Sequence, residues 1–136
     1  MSKECLNLGR RQIVVALDGS SESQKALEFT LKNIVCPMQD HIILLSVCIH
    51  PQGLFQPLNA SFLQEFETRS REFTNECLSK ASATLEEYAQ NQAYDLEHEI
   101  ICFTKGDPRE LIVNFCAEIN ANLLIVGSRG LNAFKR

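Results

Sequence analysis

Short runs of consecutive apolar residues constrain the fold of this chain more than any other feature. Gln12–Leu17, His41–Cys48 and Leu123–Val126 are apolar at nearly every position, whereas a strand with one face in water alternates apolar and polar residues. Strands that are buried on both faces occur in parallel sheets covered by helices on each side. The three runs therefore predict strands in the interior of a parallel sheet.

A fourth strand is predicted at Leu96–Phe103. Its acidic residues Glu97 and Glu99 alternate with less polar ones, so one face of this strand is wetter than the faces of the other three. A strand of this kind is best accommodated beside only one neighbour. We expect it toward an edge of the sheet.

Helical patterns fill the intervals between the strands. After the first strand, Ser21 begins a capping box, with Ser20 as the competing N-cap, and Pro37 ends the helix. Before the last strand, Asp107 is the predicted N-cap of a helix that has Pro108 at its first position. Alternating strands and helices form βαβ units with right-handed crossovers. The sequence therefore predicts a single α/β domain over residues 1–136.

A longer amphipathic helix is predicted from Ser61 to about Gln92, because this stretch contains no Gly or Pro. One face carries a mostly apolar stripe of Phe62, Phe66, Phe73, Cys77, Ala81, Leu85 and Tyr88. A stripe at helical spacing usually faces a core. We interpret it as core packing rather than as a ligand site.

The exits of the first and last strands hold the candidate binding residues. Asp18 follows the first strand, and Gly127, Ser128, Arg129 and Gly130 follow the last one. In open α/β sheets ligands bind outside the carboxyl ends of the strands. If the two strands are neighbours, a carboxylate that can accept hydroxyl hydrogens lies beside a turn whose amides and Arg129 suit phosphate. This combination predicts a nucleotide site, with an ordinary turn and a helix-capping Asp18 as the alternatives.

Composition argues against several other classes of function. The net charge is −4 and no polybasic run occurs, so neither nucleic acid nor a membrane surface is an expected partner. The N-terminus lacks the apolar stretch of a signal peptide, and the six cysteines form no CxxC pair. We expect a cytoplasmic protein in which Cys48, Cys102 and Cys116 fill the core.

Motifs for catalysis or metal binding are missing from the sequence. It contains no Walker loop, no GxGxxG after a strand, no GxSxG elbow and no metal-ligand spacing. We therefore assign no catalytic residue and no metal ligand. A bound cation would be held largely by phosphates, with Asp18 as an added ligand.

In four motifs the chain resembles the universal stress protein family. Ile13–Ser20 matches the family's first strand and D-x-S element, and Leu44–Val47 matches its second strand, where Ser46 stands in place of a frequent His. Gly106–Pro108 matches the GDP turn, and Val126–Gly130 matches the signature glycines. The four motifs occur in order and at the family's spacing over nearly the whole chain.

The resemblance implies a three-layer, Rossmann-like open parallel sheet with helices on both faces, and an ATP site. It places Ala16 and Leu17 along the adenosine pocket, Asp18 at the ribose and the backbone of Val47 at adenine. It wraps Gly127, Ser128, Arg129 and Gly130 around the ribose and phosphates. ATP is the implied ligand, with Mg²⁺ held through its phosphates.

One departure from the family pattern changes these expectations. The ATP-binding branch carries G-x2-G-x9-G-[ST], and only its first two glycines, Gly127 and Gly130, precede the last residue, Arg136. The fifth, C-terminal strand of the family's 3-2-1-4-5 order is then missing, and Leu123–Val126 becomes an uncovered edge. We expect weaker nucleotide binding than in full-length relatives, lower stability, and a homodimer or a non-standard self-association.

Three functions follow from this combination. The leading hypothesis is an ATP-binding regulator of stress responses that is non-enzymatic or weakly hydrolytic. A second is an enzyme of similar architecture, although Asp18-Gly19-Ser20-Ser21 is no pyrophosphate-binding SGGxDS loop. The third is a protein-interaction module of the same family that no longer binds nucleotide because the terminal phosphate-binding segment is absent.

Overall fold

Four strands alternate with three helices in the part of the chain that the computed structural model describes, namely residues 10–36, 39–48, 60–92, 96–103 and 106–127. In chain order the elements are β1 (Arg11–Ala16), α1 (Ser21–Asn33), β2 (Asp40–Val47), α2 (Ala60–Asn91), β3 (His98–Phe103), α3 (Pro108–Glu118) and β4 (Leu123–Ile125). This alternation confirms the predicted α/β class.

The strands form one sheet in the order β3-β2-β1-β4, and all three pairings are parallel. β2 lies between β1 and β3 and is buried along almost its whole length, because its apolar residues meet helices on both faces. β3 lies at one edge of this sheet, as the alternating acids Glu97 and Glu99 predicted. β1 and β4 are neighbours, which is the condition on which the nucleotide hypothesis depends.

Two apolar cores sandwich the sheet. On one face, Ile13 and Val15 of β1 pack with Leu27 of α1 and Leu85 of α2. On the other face, Val14 and residues of β2 pack with Ile112 of α3. Successive residues of β1 therefore enter opposite cores, which confirms the three-layer arrangement with helices on both faces.

The structure shows which of two candidate serines is the N-cap of α1. Ser20 is the N-cap: it has extended backbone, and its Oγ accepts a hydrogen bond of 3.2 Å from the Ser23 amide. Ser21 is the first residue of the helix, so the capping box predicted to begin there is wrong. The helix ends at Asn33 with Ile34 as its C-cap, whereas the predicted stop, Pro37, lies outside the described residues.

The N-terminal part of α2 does not pack as the stripe predicted. Ala81 and Leu85 are fully buried, but Phe62 and Phe73 are 47% and 55% exposed. Among the described side chains of α2, none before Thr74 is buried. The helix has 32 residues and is about 48 Å long, whereas the eight residues of β2 span about 26 Å. The sheet is too short to cover the whole stripe.

β4 is shorter and more exposed than predicted. It comprises three residues, and Leu124 is 36% exposed. Within the described residues β4 pairs only with β1, so one of its edges and part of one face lack the cover that an interior strand receives. The prediction that this run is buried on both faces is therefore wrong for Leu124.

A buried ion pair closes the amino-terminal edge of the sheet between β1 and β2. The Asp40 carboxylate is 1% exposed and accepts hydrogen bonds of 2.8 and 2.7 Å from Nε and Nη2 of Arg11. It also accepts one of 2.7 Å from the Cys36 amide. Burial raises the pKa of Asp40, but the hydrogen bonds from Arg11 and Cys36 outweigh it, and the pKa lies below its ordinary value.

The start of α3 agrees with its prediction. Asp107 is the N-cap, and its Oδ1 accepts a 3.0 Å hydrogen bond from the Arg109 amide. Pro108 takes the first position of the helix, where a missing N–H costs nothing.

Candidate functional site

The candidate site is a crevice above the carboxyl ends of β1 and β4. Val15 of β1 is paired with Ile125 of β4, so the next residues of each strand leave the sheet at the same edge. Leu17 and Asp18 follow β1, and Val126 and Gly127 follow β4. The structure confirms that β1 and β4 are neighbours, so both exits lie at the same edge of the sheet, and β2 ends on the other side of β1.

Asp18 supports the N-terminus of α1. Its Oδ1 accepts a hydrogen bond of 2.9 Å from the Ser20 amide and a second one from the Ser20 hydroxyl. Partial burial raises the pKa of Asp18, but these hydrogen bonds lower it more, so the pKa lies below its ordinary value. The side chain is therefore an ionised acceptor at neutral pH, at an exposed position of the crevice.

Gly127 brings the backbone at the β4 exit against the first turn of α1. Gly127 is buried, and a Cβ added to it would lie 2.8 Å from the carbonyl carbon of Glu22 and from the amide nitrogen of Ser23. Neither backbone atom can move away without shifting the helix. Gly127 is thus required for close approach, and it lies beside a helix N-terminus, where free N–H groups and the helix dipole favour anions.

Ser46 is a residue at this edge that the sequence analysis left without a role. Its buried hydroxyl donates a 2.7 Å hydrogen bond to the Leu17 carbonyl, while the Leu17 amide donates one of 2.8 Å to the Leu45 carbonyl. These two bonds attach the β1 exit to β2 at Leu17, the residue immediately before Asp18. The small polar residue between Leu45 and Val47 is a signal, although one that sequence alone does not connect to Leu17.

A second residue without a predicted role at the site is Phe73 of α2. Gly19 has φ +83°, a left-handed conformation that favours glycine. A Cβ there would lie 2.4 Å from the Phe73 ring, so the ring sits directly on this loop. Phe73 and Gly19 line a cavity of about 550 Å³ between α1 and α2, together with Lys25 and Lys80. The cavity shares Gly19 and Ser20 with the β1 exit but includes neither Asp18 nor Gly127.

Three of the other predicted residues contribute side chains to the cores. Leu17 is buried in the core under α1 and α2, and Ala16 and Val47 pack against the core under α3. Their predicted contacts with the adenosine part of a nucleotide stay predictions. Ser128, Arg129 and Gly130 lie outside the described residues, so their predicted roles stay predictions.

The described ranges contain neither a membrane-spanning helix nor a cluster of metal-binding side chains. No helix there is long and apolar enough to cross a bilayer. The same residues contain no group of three or more His, Cys, Asp or Glu side chains that could hold a metal ion.

The chain matches a family model and resembles solved structures of proteins from the same family. Residues 9–136 match the model of the universal stress protein family. Among solved structures, a universal stress protein from Archaeoglobus fulgidus aligns with a TM-score of 0.62 at 16% identity, covering 92% of this chain and 80% of that one. A protein of the same family from Burkholderia pseudomallei aligns with a TM-score of 0.56 at 20% identity, covering 90% and 84%. No curated protein matches the sequence significantly.

Proposed function

This chain belongs to the universal stress protein family, and we propose that it is an adenine-nucleotide-binding protein that regulates a stress response. ATP is the proposed ligand, and the crevice between the exits of β1 and β4 is the proposed site. The observation that carries the proposal is the parallel pairing of β1 with β4, with Gly127 pressed against the first turn of α1.

The residues of the crevice fit the parts of a nucleotide. Asp18 is ionised and exposed, so it can accept hydrogen bonds from ribose hydroxyls. Gly127 lets the β4 exit pack directly on the first turn of α1, so the backbone amides of residues 127–130 are proposed to bind the phosphates beside that helix N-terminus. The backbone of Val47 is proposed to meet adenine, and Ala16 and Leu17 to line the adenosine pocket. Mg²⁺ would bind mainly through the phosphates and neutralise part of their charge.

We propose that this site binds ATP rather than turning it over. Any catalytic activity would be at most a weak hydrolysis of ATP. The carboxylate proposed for the crevice, Asp18, already accepts two hydrogen bonds from Ser20. Its lowered pKa makes it a weak base. Regulation would therefore depend on a difference between the nucleotide-bound and the nucleotide-free protein. We propose that the protein acts as a homodimer or in another self-associated form.

The hydrogen bonds of Asp18 also favour a second candidate, an interaction module that no longer binds nucleotide. Because both bonds from Ser20 reach Oδ1, Asp18 has a complete structural role at the start of α1. In that case Gly127 serves only the close contact with α1, and the protein acts through its surface.

Isothermal titration of Mg-ATP into the whole chain distinguishes the two candidates. We expect saturable binding by the wild type and an affinity about tenfold lower for Asp18→Asn, which keeps the shape but removes the charged acceptor. Glu86→Gln, at an exposed position on α2, is the matched control and should bind like the wild type. Gly130→Val tests the predicted phosphate contact.

Circular dichroism must show that each variant is folded before its affinity is compared. The proposal is refuted if the folded wild type shows neither heat nor a thermal shift at millimolar Mg-ATP. Binding that Asp18→Asn and Gly130→Val leave unchanged would place the nucleotide elsewhere on the protein.

A further inference from the structure

Two cysteine sulfurs lie close together on neighbouring strands. The Sγ of Cys48, immediately after β2, is 3.8 Å from the Sγ of Cys102 in β3. Both are free thiols. Cys48 is buried, and Cys102 is half-buried against the core under α1 and α2. Of the described cysteines, Cys77 lies on α2 and Cys116 packs on the opposite face of the sheet.

The backbone holds this pair in place. Ser46 is paired with Cys102 in the parallel register of β2 and β3, and the Cys48 amide donates a 2.8 Å hydrogen bond to the Phe103 carbonyl. The strands that carry the two cysteines are therefore held side by side. A disulfide requires the two sulfurs to approach from 3.8 Å to about 2.05 Å. Because Cys48 lies two residues beyond Ser46, the partner of Cys102, the two cysteines are diagonal neighbours, so closure requires rotation of both side chains and an adjustment of the backbone at the end of β2.

We propose that Cys48 and Cys102 form an oxidisable dithiol that closes to an intramolecular disulfide when a hydroperoxide reaches it. One thiol, as its thiolate, attacks a peroxide oxygen, the O–O bond breaks, and the departing oxygen leaves as water, giving a sulfenic acid. The second thiol then forms the S–S bond and displaces the sulfenic oxygen as a second water. Both sulfurs are oxidised, and one hydrogen peroxide is reduced to two waters.

The reaction is slow at neutral pH. Burial, together with the hydrogen bond and the charge of Cys48, raises the pKa of Cys102 to about 11. Since the thiolate is the reacting form, the raised pKa of Cys102 slows its reaction with a peroxide at neutral pH. The inference does not depend on nucleotide binding, although Cys48 directly follows Val47 in the chain.

Peptide mapping after treatment of the folded, full chain with hydrogen peroxide tests the proposal. We expect the intact mass to fall by two hydrogen atoms and the titratable thiols to drop by two from the six in the sequence. Proteolysis without reduction should release one cross-linked peptide pair that contains Cys48 and Cys102. Dithiothreitol should restore all six thiols.

Variants provide the matched comparison. Cys48→Ser and Cys102→Ser should each abolish the cross-linked pair, whereas Cys36→Ser, at an exposed cysteine, should leave it unchanged. The wild-type map is decisive even if a serine variant fails to fold. Recovery of Cys48 and Cys102 as separate peptides, while Cys36 is oxidised, overturns the proposal, as does a disulfide that joins either of them mainly to another cysteine.

Discussion

The substitution Gly127→Ala tests the contact on which the crevice depends. A Cβ at this position would lie 2.8 Å from two backbone atoms of α1, whereas ordinary contacts begin at 3.4 Å. A flexible side chain could rotate away from the new methyl group. The carbonyl carbon of Glu22 and the amide nitrogen of Ser23, however, belong to the first turn of α1, which packs on the core through Leu27 and Leu31. Either α1 or the β4 exit must shift.

Forced insertion of one methyl group into a packed contact costs about 1–3 kcal/mol. We expect Gly127→Ala to lower the free energy of unfolding by this amount. The measurement is urea denaturation followed by the far-ultraviolet circular dichroism of the helices. The m-value should not change, because the surface exposed on unfolding is nearly the same. In the titration above, Mg-ATP binding should weaken as well, since the shift moves the phosphate-binding backbone.

Ala83→Ser, at an exposed position on α2, is the control and should lie within about 0.5 kcal/mol of the wild type. If Gly127→Ala is equally neutral, the β4 exit does not press against α1, and the geometry of the proposed site is wrong.

Three further perturbations have expected outcomes. Asp40→Asn should cost about 2 kcal/mol at pH 7 by breaking the pair with Arg11. Because the hydrogen bonds from Arg11 and Cys36 hold the native pKa of Asp40 below its ordinary value, the difference from wild type in urea titrations should be constant above about pH 5 and shrink as the pH falls through that native pKa. Gly19→Ala should cost about 1–2 kcal/mol for its left-handed backbone, and adding Phe73→Ala should relieve the ring contact but not this strain, so full recovery in the double variant would contradict the assignment. His41→Leu should raise the free energy of unfolding by about 1 kcal/mol, because Nδ1 of this buried side chain has no hydrogen-bond partner among the described residues and the carboxylates of Glu97 and Glu99, 4.0 and 3.7 Å from the imidazole, are largely exposed; a loss of stability would show that the imidazole is needed there.

Much of the fold could be predicted because it depends on which faces of each element are apolar. The unbroken apolar runs of β1 and β2 can only be buried on both sides, and the acids of β3 require an edge. Asp107 and Pro108 determine the start of α3 by local hydrogen bonding alone. The neighbouring positions of β1 and β4 followed from the family resemblance and are confirmed by their pairing.

The remaining features depend on distances that no local pattern encodes. Ser20 and Ser21 differ by one residue, and only the path of the chain leaving β1 decides which caps the helix. The exposure of Phe73 follows from the length of α2 relative to the sheet, and the bond from Ser46 to the Leu17 carbonyl follows from strand register. The closeness of Cys48 and Cys102 has the same origin, since parallel register is set by the whole sheet.

The pairing of β1 with β4 has a consequence for the order of folding. Ile13 is paired with Leu123, and the hydrogen bond from the Gln12 amide to the Asn122 side chain spans 110 residues. Closing so long a loop delays the contact relative to the nearer pairing of β1 with β2. We therefore expect the crevice to be assembled last, when β4 docks on a sheet that already holds α1 and α2. Its amides should also be the first in the sheet to exchange with deuterium, and a ligand that bridges the two exits would slow that local opening.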